Sequence, residues 1–272
     1  MKIFLCSAKY DNILHNIFPS IQIIIVILGD DMEQFKYVED LFSELSITPP
    51  NLNFYSGDPQ TFSLLRLQCS GELEHSENSG FIIKNHGSDE LYKDFIRKAK
   101  SEKPDIILTP EYSFPFRVLK EIIENKWYPN HGQLWCLGCE GIQLDYFYEL
   151  MKTFEDSGVM VLNHALDLAN LKVFINALIY VFVNENDTLF ILPQLKTTAA
   201  SDRDSCCEEF GMSKGNVIYK FGKNQCNQLC SIICSDALNK GLLTVNNIVS
   251  GNENVILLHP QLNPEPRHGT FR

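Results

Sequence analysis

The chain lacks any apolar run long enough to cross a bilayer as a helix. Its longest, residues 21–28, is interrupted by Gln22, and a membrane helix needs about 20 consecutive apolar residues. The N-terminus has no charged start followed by an apolar middle and a small-residue cleavage site. Basic residues are in deficit: 23 Lys and Arg face 34 Asp and Glu, for a net charge of −11. That disfavours a membrane surface or direct nucleic-acid binding, since both need clustered cations. The nine cysteines are odd in number and irregularly spaced, so no disulfide framework is expected. Cys136-x-x-Cys139 has no convincing second pair, which leaves a zinc module a minor reading. These absences predict a cytoplasmic protein with reduced thiols. Internal repeats and low-complexity tracts are absent too.

What the chain does have is the composition of a globular protein with a sizeable core. Apolar residues make up 44% and charged residues 21% of its 272 positions. Residues 1–58 read as an N-terminal extension holding an apolar strand at 21–28 and an amphipathic helix at 31–45, ahead of a main domain at 59–272. Strands are expected at 62–69, 105–108, 134–137, 158–163, 173–184, 188–192, 216–221, 228–234 and 254–259. Helices are expected from Ser88, over 114–125 and 145–157, and near Leu238. The polar stretch 72–80 reads as a loop. Strands alternating with helices predict a layered α/β fold.

Three chemistry-bearing residues fall where strands end. Glu111 follows the run 105–108, Lys196 follows 188–192, and Cys234 closes 228–234. Ligands in α/β proteins gather at carboxyl ends of strands. Each residue has an ordinary reading as well. Cys234 reads as a buried small hydrophobe, Glu111 as a carboxylate near a helix start, Lys196 as a solvated loop cation, and Glu208 and Glu209 as surface charge. His259 reads as a structural hydrogen-bonding histidine, although His259 or His268 also allows a Cys–His arrangement. Tyr112 and Phe114 read as site lining or core. Taken together, the acid, the lysine and the thiol form a coherent set for amide chemistry. The thiol attacks a carbonyl carbon, the ammonium favours thiolate and oxyanion, and the carboxylate shuttles protons.

The runs Leu108-Thr109-Pro110-Glu111, Leu192-Pro193-Gln194-Leu195-Lys196 and Ile232-Ile233-Cys234-Ser235-Asp236 resemble, in order, spacing and flanks, the Glu-Lys-Cys triad of the nitrilase (carbon–nitrogen hydrolase) superfamily. Gly138-Cys139-Glu140-Gly141 and Phe174-Ile175-Asn176-Ala177 are similar to secondary features of that family. The resemblance covers about residues 60–272. It implies a four-layer α-β-β-α sandwich and a thiol-dependent hydrolase that cleaves a non-peptide C–N bond, amide before nitrile, through a thioester. Carried over, Cys234 is the nucleophile, Glu111 the general base and acid, and Lys196 the oxyanion stabiliser. The Ser235 N–H becomes a second oxyanion donor, and Glu208 or Glu209 an auxiliary acid. No metal or organic cofactor is implied. The implied partners are a small amide-type substrate and either further copies of the chain or a fused module. Only residues 235–272 follow Cys234, fewer than family members normally carry, so the C-terminal part of the sandwich is expected to be incomplete and the chain a fragment or one part of a larger protein. The alternative reading is a non-catalytic nitrilase-like scaffold or sensor module, in a setting such as phage defence.

Overall fold

The computed structural model describes residues 35–56, 62–68, 72–76, 78–84, 88–162, 171–200, 206–238 and 254–262. In chain order its elements are β1 (Phe35–Tyr37), α1 (Val38–Glu44), β2 (Leu64–Arg66), β3 (Glu72–Ser76), β4 (Gly80–Lys84), α2 (Ser88–Glu102), β5 (Ile106–Leu108), α3 (Phe116–Glu124), β6 (Leu134–Gly138), β7 (Ile142–Gln143), α4 (Leu144–Asp156), β8 (Met160–Val161), β9 (Phe174–Ile175), β10 (Ala177–Val183), β11 (Leu189–Leu195), α5 (Cys206–Gly211), β12 (Ile218–Phe221), β13 (Asn227–Ser231) and β14 (Asn254–Leu258). The protein is mixed α/β, as the alternation of patterns predicts. The expected strand at 21–28, and the parts of other expected elements at Cys69 and Asn163, lie outside the described residues, as does His268.

Two mixed sheets dominate. One runs β2-β5-β6-β10-β11-β8 and the other β1-β12-β13-β14. Strands β10 and β11 are buried along their whole length. The unbroken aliphatic and aromatic sequence of β10, and of β11 apart from Pro193 and Gln194, is what strands covered on both faces require. The two sheets meet through rings and one amide. Tyr180 and Phe182 of β10 lie 4.9 and 5.9 Å from Phe221 of β12, centroid to centroid. Gln194 of β11 donates to Ser231 O at 2.8 Å and accepts from Tyr219 N at 3.0 Å. A buried glutamine is stable here because strands of the other sheet satisfy both its ends.

Strand directions determine where the loops gather. β5 is parallel to β6, β6 antiparallel to β10, and β10 antiparallel to β11. The carboxyl ends of β5, β6 and β11 and the amino end of β10 therefore share one edge of the six-stranded sheet. Glu111, Gly138, Lys196 and Asn176 sit at those four ends.

Three expectations meet a different structure. The segment read as an extension over 1–58 contributes, from residue 35 on, a strand and a helix to the main body. β1 pairs in parallel with β12, and Phe42 packs 4.8 Å from Phe190 and 6.1 Å from Phe182. Glu39 accepts from Tyr55 Oη and Gly222 N at 2.9 and 2.7 Å. Local helical spacing reveals the apolar face of α1 but not the sheet that it covers. The polar stretch 72–80 is largely a hairpin, β3 with β4. Glu74 and His75 are exposed there, so polar composition does not oppose a strand. The third difference concerns the nucleophile: β13 stops at Ser231, and Cys234 opens a short 3-10 turn, Cys234–Leu238.

Candidate active site

Lys196 is the centre of a buried charge cluster. Its Nζ donates to Glu111 Oε1 at 2.8 Å and to Glu208 Oε1 and Oε2 at 2.8 and 2.7 Å. All three side chains are 1–2% exposed. One cation against two carboxylates leaves the cluster with one net negative charge. Such a group survives burial only when each lone pair finds a donor, and here each carboxylate does. Glu111 Oε1 also accepts from Asn176 Nδ2 at 2.7 Å, and Oε2 from Leu262 N at 3.0 Å. Glu208 also accepts from Tyr112 Oη at 2.6 Å and from Ala200 N at 2.7 Å. Burial alone would lower the Lys196 pKa, but Glu111 and Glu208 outweigh it and hold the ammonium well above the ordinary lysine range.

The thiol comes from the other sheet. Cys234 has φ 43°, a left-handed backbone that a side-chain-bearing residue adopts only when its surroundings enforce it. The enforcement is visible. Ile232 N donates to Leu258 O at 2.9 Å, Cys234 N to Pro260 O at 3.0 Å, and Ile233 N to Asp236 Oδ2 at 3.0 Å. Asp236 Oδ1 in turn accepts from Thr197 N, Thr197 Oγ1 and Thr198 N at 2.8–2.9 Å. Ser235 Oγ donates to Thr198 O at 2.6 Å. The turn that carries the thiol is thus fastened to the loop that follows Lys196.

The Cys234 thiol lies within electrostatic reach of Glu111, Lys196 and Glu208. Burial pushes its pKa up first. Glu111 pushes it further, and Lys196 pulls it back only in part. In the resting site Lys196 is committed to two carboxylates, so its pull on the thiol is outweighed by burial and by Glu111. The carboxylate placed to remove the thiol proton is Glu111.

No family model, curated protein or solved structure matches the chain. The site is therefore judged on its own geometry. Glu111, Lys196, Glu208, Cys234 and Ser235 come together. Glu209 does not: it is exposed on α5, its carbonyl receiving Lys172 Nζ. Tyr112 and Phe114 are both core residues, but Tyr112 also reaches Glu208. His259 is the hydrogen-bonding histidine expected, 3.0 Å from Cys234 O. Cys136 and Cys139 are both buried, and burial raises both thiols. Among the described residues no group of His, Cys, Asp or Glu is arranged for a metal ion, and no helix is long and apolar enough to cross a membrane.

Sequence reading assigned no role to Asn176, Asp236 or Leu262. The first two stand in the quoted motifs, so their position was a usable signal. Leu262 contributes only a main-chain N–H, for which side-chain identity gives no signal.

Two expected results follow from the supports. A Cβ on Gly138 would lie 2.2 Å from Pro110 O and 2.9 Å from Glu111 N. Ser113 N and Phe114 N donate to Gly138 O at 3.0 and 2.8 Å, so the Glu111 loop lies directly on this strand end. Gly138→Ala must displace Glu111, and a displacement of about 1 Å costs on the order of 100-fold in rate. Kinetics of Gly138→Ala with circular dichroism as a folding control checks this.

The second concerns pH. Burial raises the Asp236 carboxyl to about 6, against four hydrogen bonds that favour its charged form. The folded state therefore binds this proton more tightly than the unfolded chain. The group's contribution to stability is greatest below the unfolded value of 3.8 and falls as pH rises through about 6. The difference corresponds to about 3 kcal/mol. Asp236→Asn removes this titration, so its stability deficit relative to the native chain is expected to be larger at pH 5 than at pH 7. Urea denaturation of both proteins at the two pH values measures it.

Proposed function

We propose that the chain is a thiol-dependent hydrolase of the nitrilase type, cleaving a non-peptide C–N bond, amide before nitrile, through a covalent thioester. The observation that carries this reading is the shared carboxylate. Glu111 accepts from Lys196 Nζ at 2.8 Å and acts on the Cys234 thiol by its charge.

The chemistry runs as follows. Glu111 takes the thiol proton as Sγ attacks the carbonyl carbon. The developing oxyanion is met by Lys196 and by the Ser235 N–H. Glu111 then passes the proton to the leaving nitrogen, the C–N bond breaks, and an amine departs. Water attacks the thioester, giving its proton to Glu111. The C–S bond breaks and the proton returns to sulfur. The products are a carboxylic acid and an amine, with the enzyme restored. Glu208 and Tyr112 hold Lys196 in line throughout.

The finer architecture belongs to the same reading. The two packed sheets would form the centre of an α-β-β-α sandwich, acting in the cytoplasm as a homo-oligomer or as a module of a larger protein. One feature favours the non-catalytic alternative: burial and Glu111 both push the resting thiol's pKa up, and Lys196 offsets them only in part. Turnover separates the two. Amine release from a panel of small aliphatic and aromatic amides is expected with the native chain and absent with Cys234→Ala. Equal release from both proteins would overturn the assignment.

A further inference from the structure

The four residues that follow β14 touch both reacting groups. His259 Nε2 lies 3.0 Å from Cys234 O. Pro260 O accepts from Cys234 N at 3.0 Å. Leu262 N donates to Glu111 Oε2 at 3.0 Å. No other stretch of the described chain bonds to the nucleophile's main chain on both sides and also to the base.

Consider what each contact does. Glu111 has two oxygens and four lone-pair directions. Lys196 and Asn176 occupy Oε1. If Oε1 alone were held, the carboxylate could still pivot about that edge. The Leu262 N–H fixes the other oxygen, so both oxygens of the carboxylate are held. On the nucleophile, the left-handed backbone at Cys234 costs on the order of 1–3 kcal/mol. His259 and Pro260 grip the peptide groups on its two sides, so the strained conformation is held where the sulfur can reach Glu111. The three contacts are short-range, and a single tetrapeptide makes all of them. The distance between base and nucleophile is therefore governed by a segment that belongs to neither.

We propose that residues 259–262 are a positioning clamp for the reaction, in which the Leu262 main-chain N–H orients the Glu111 carboxylate and His259 holds the Cys234 turn. This rests on the hydrolase reading above. None of the four residues is a catalytic residue in this account, because none touches the substrate carbon or transfers a proton. Their effect is exerted through Glu111 and Cys234.

Proline at 262 deletes the N–H, whereas alanine keeps it. At 259, glutamine retains an N–H donor near the position of Nε2, and alanine does not. The probe is p-nitroacetanilide, an amide whose leaving nitrogen needs the proton that Glu111 delivers, with the p-nitroaniline burst read by stopped flow, the acetyl group located on the Cys234 peptide by mass spectrometry, and folding followed by circular dichroism. Native chain, Glu111→Gln, Leu262→Ala, Leu262→Pro, His259→Ala and His259→Gln are compared. Leu262→Pro is expected to slow acetylation of Cys234 by about 10- to 100-fold and Leu262→Ala by far less. His259→Gln is expected to recover most of the rate lost in His259→Ala, which a purely volumetric role would not produce. If Leu262→Pro and Leu262→Ala slow the burst equally while both fold, or if His259→Gln is no better than His259→Ala, the clamp is wrong although the hydrolase reading stands. Should Leu262→Pro fail to fold, the His259 pair decides the matter. If the native chain does not acetylate Cys234, or Glu111→Gln matches it, the hydrolase reading fails and the clamp falls with it.

Discussion

Lys196→Met is expected to eliminate acyl transfer and to destabilise the fold by about 3–5 kcal/mol, the usual consequence of leaving buried charge without its partner. The reason lies in the count of charges. Lys196 is the cation that both Glu111 and Glu208 share at 2.7–2.8 Å, and neither carboxylate is open to solvent. Methionine fills a similar volume, so packing is largely kept and the loss is electrostatic. Two carboxylates would then sit in one buried site with only neutral donors around them. One of them must take up a proton for the fold to persist, so the destabilisation is expected to shrink as pH falls from 8 to 5. Lys196→Met combined with Glu208→Gln removes one cation and one anion, and should recover part of the lost stability without recovering activity. Chemical denaturation of the three proteins across that pH range measures both effects. A Lys196→Met protein as stable as the native chain would mean that the cluster is not held by charge.

Glu111→Gln is expected to move two reactivities of the same sulfur in opposite directions. The carboxylate raises the Cys234 thiol pKa by its charge, while Lys196 lowers it. Removing the charge leaves burial opposed by an ammonium that now faces only Glu208. The thiolate fraction at pH 7 therefore rises, and alkylation by iodoacetamide, which needs only the thiolate, should be faster than in the native chain. The two proteins should converge at high pH, where both thiols are ionised. Acylation by an amide behaves differently, because the leaving nitrogen requires the proton that Glu111 delivers. Loss of a general acid–base group costs about 100- to 10,000-fold. Glutamine cannot imitate the carboxylate's bonding either. Its amide nitrogen would face Leu262 N–H in one orientation, and Lys196 and Asn176 in the other, with donor against donor in both. Faster alkylation together with slower acylation identifies Glu111 as a base. A scaffold with an incidental carboxylate gives no acylation to lose.

The sequence made the reacting groups legible and left much of their support hidden. Glu111, Lys196 and Cys234 could be found because each follows an apolar strand pattern; the common direction of β5 and β11 brings the first two to one end of the six-stranded sheet, and β13 of the other sheet supplies the third. The choice between Glu208 and Glu209 was not legible: adjacent residues on a short helix have the same sequence context, and only the bend of the chain turns Glu208 toward Lys196. Asp236 looked like a neighbour of the nucleophile, yet its partners Thr197 and Thr198 are 38–39 positions away. The Leu262 contribution is made by an N–H that every non-proline residue has. The burial of α1 against Phe182 and Phe190 likewise depends on residues more than 100 positions distant, which local periodicity does not report. Residues 72–80 misled for a simpler reason. The β3 arm of the hairpin is mostly polar, with Glu74 and His75 exposed, while the apolar residues lie on β4, so composition that reads as loop is compatible with a paired strand.

The central claim is that Cys234 carries the acyl group of a cleaved amide. It is tested most directly by mixing the native chain with the amide panel, quenching in acid within the first turnovers, and mapping the modified peptide by mass spectrometry. The account predicts a thioester on Cys234, present in the native chain, depleted in Glu111→Gln and absent in Lys196→Met. Amine release with no acyl group at Cys234, or an acyl group on another residue, would contradict it.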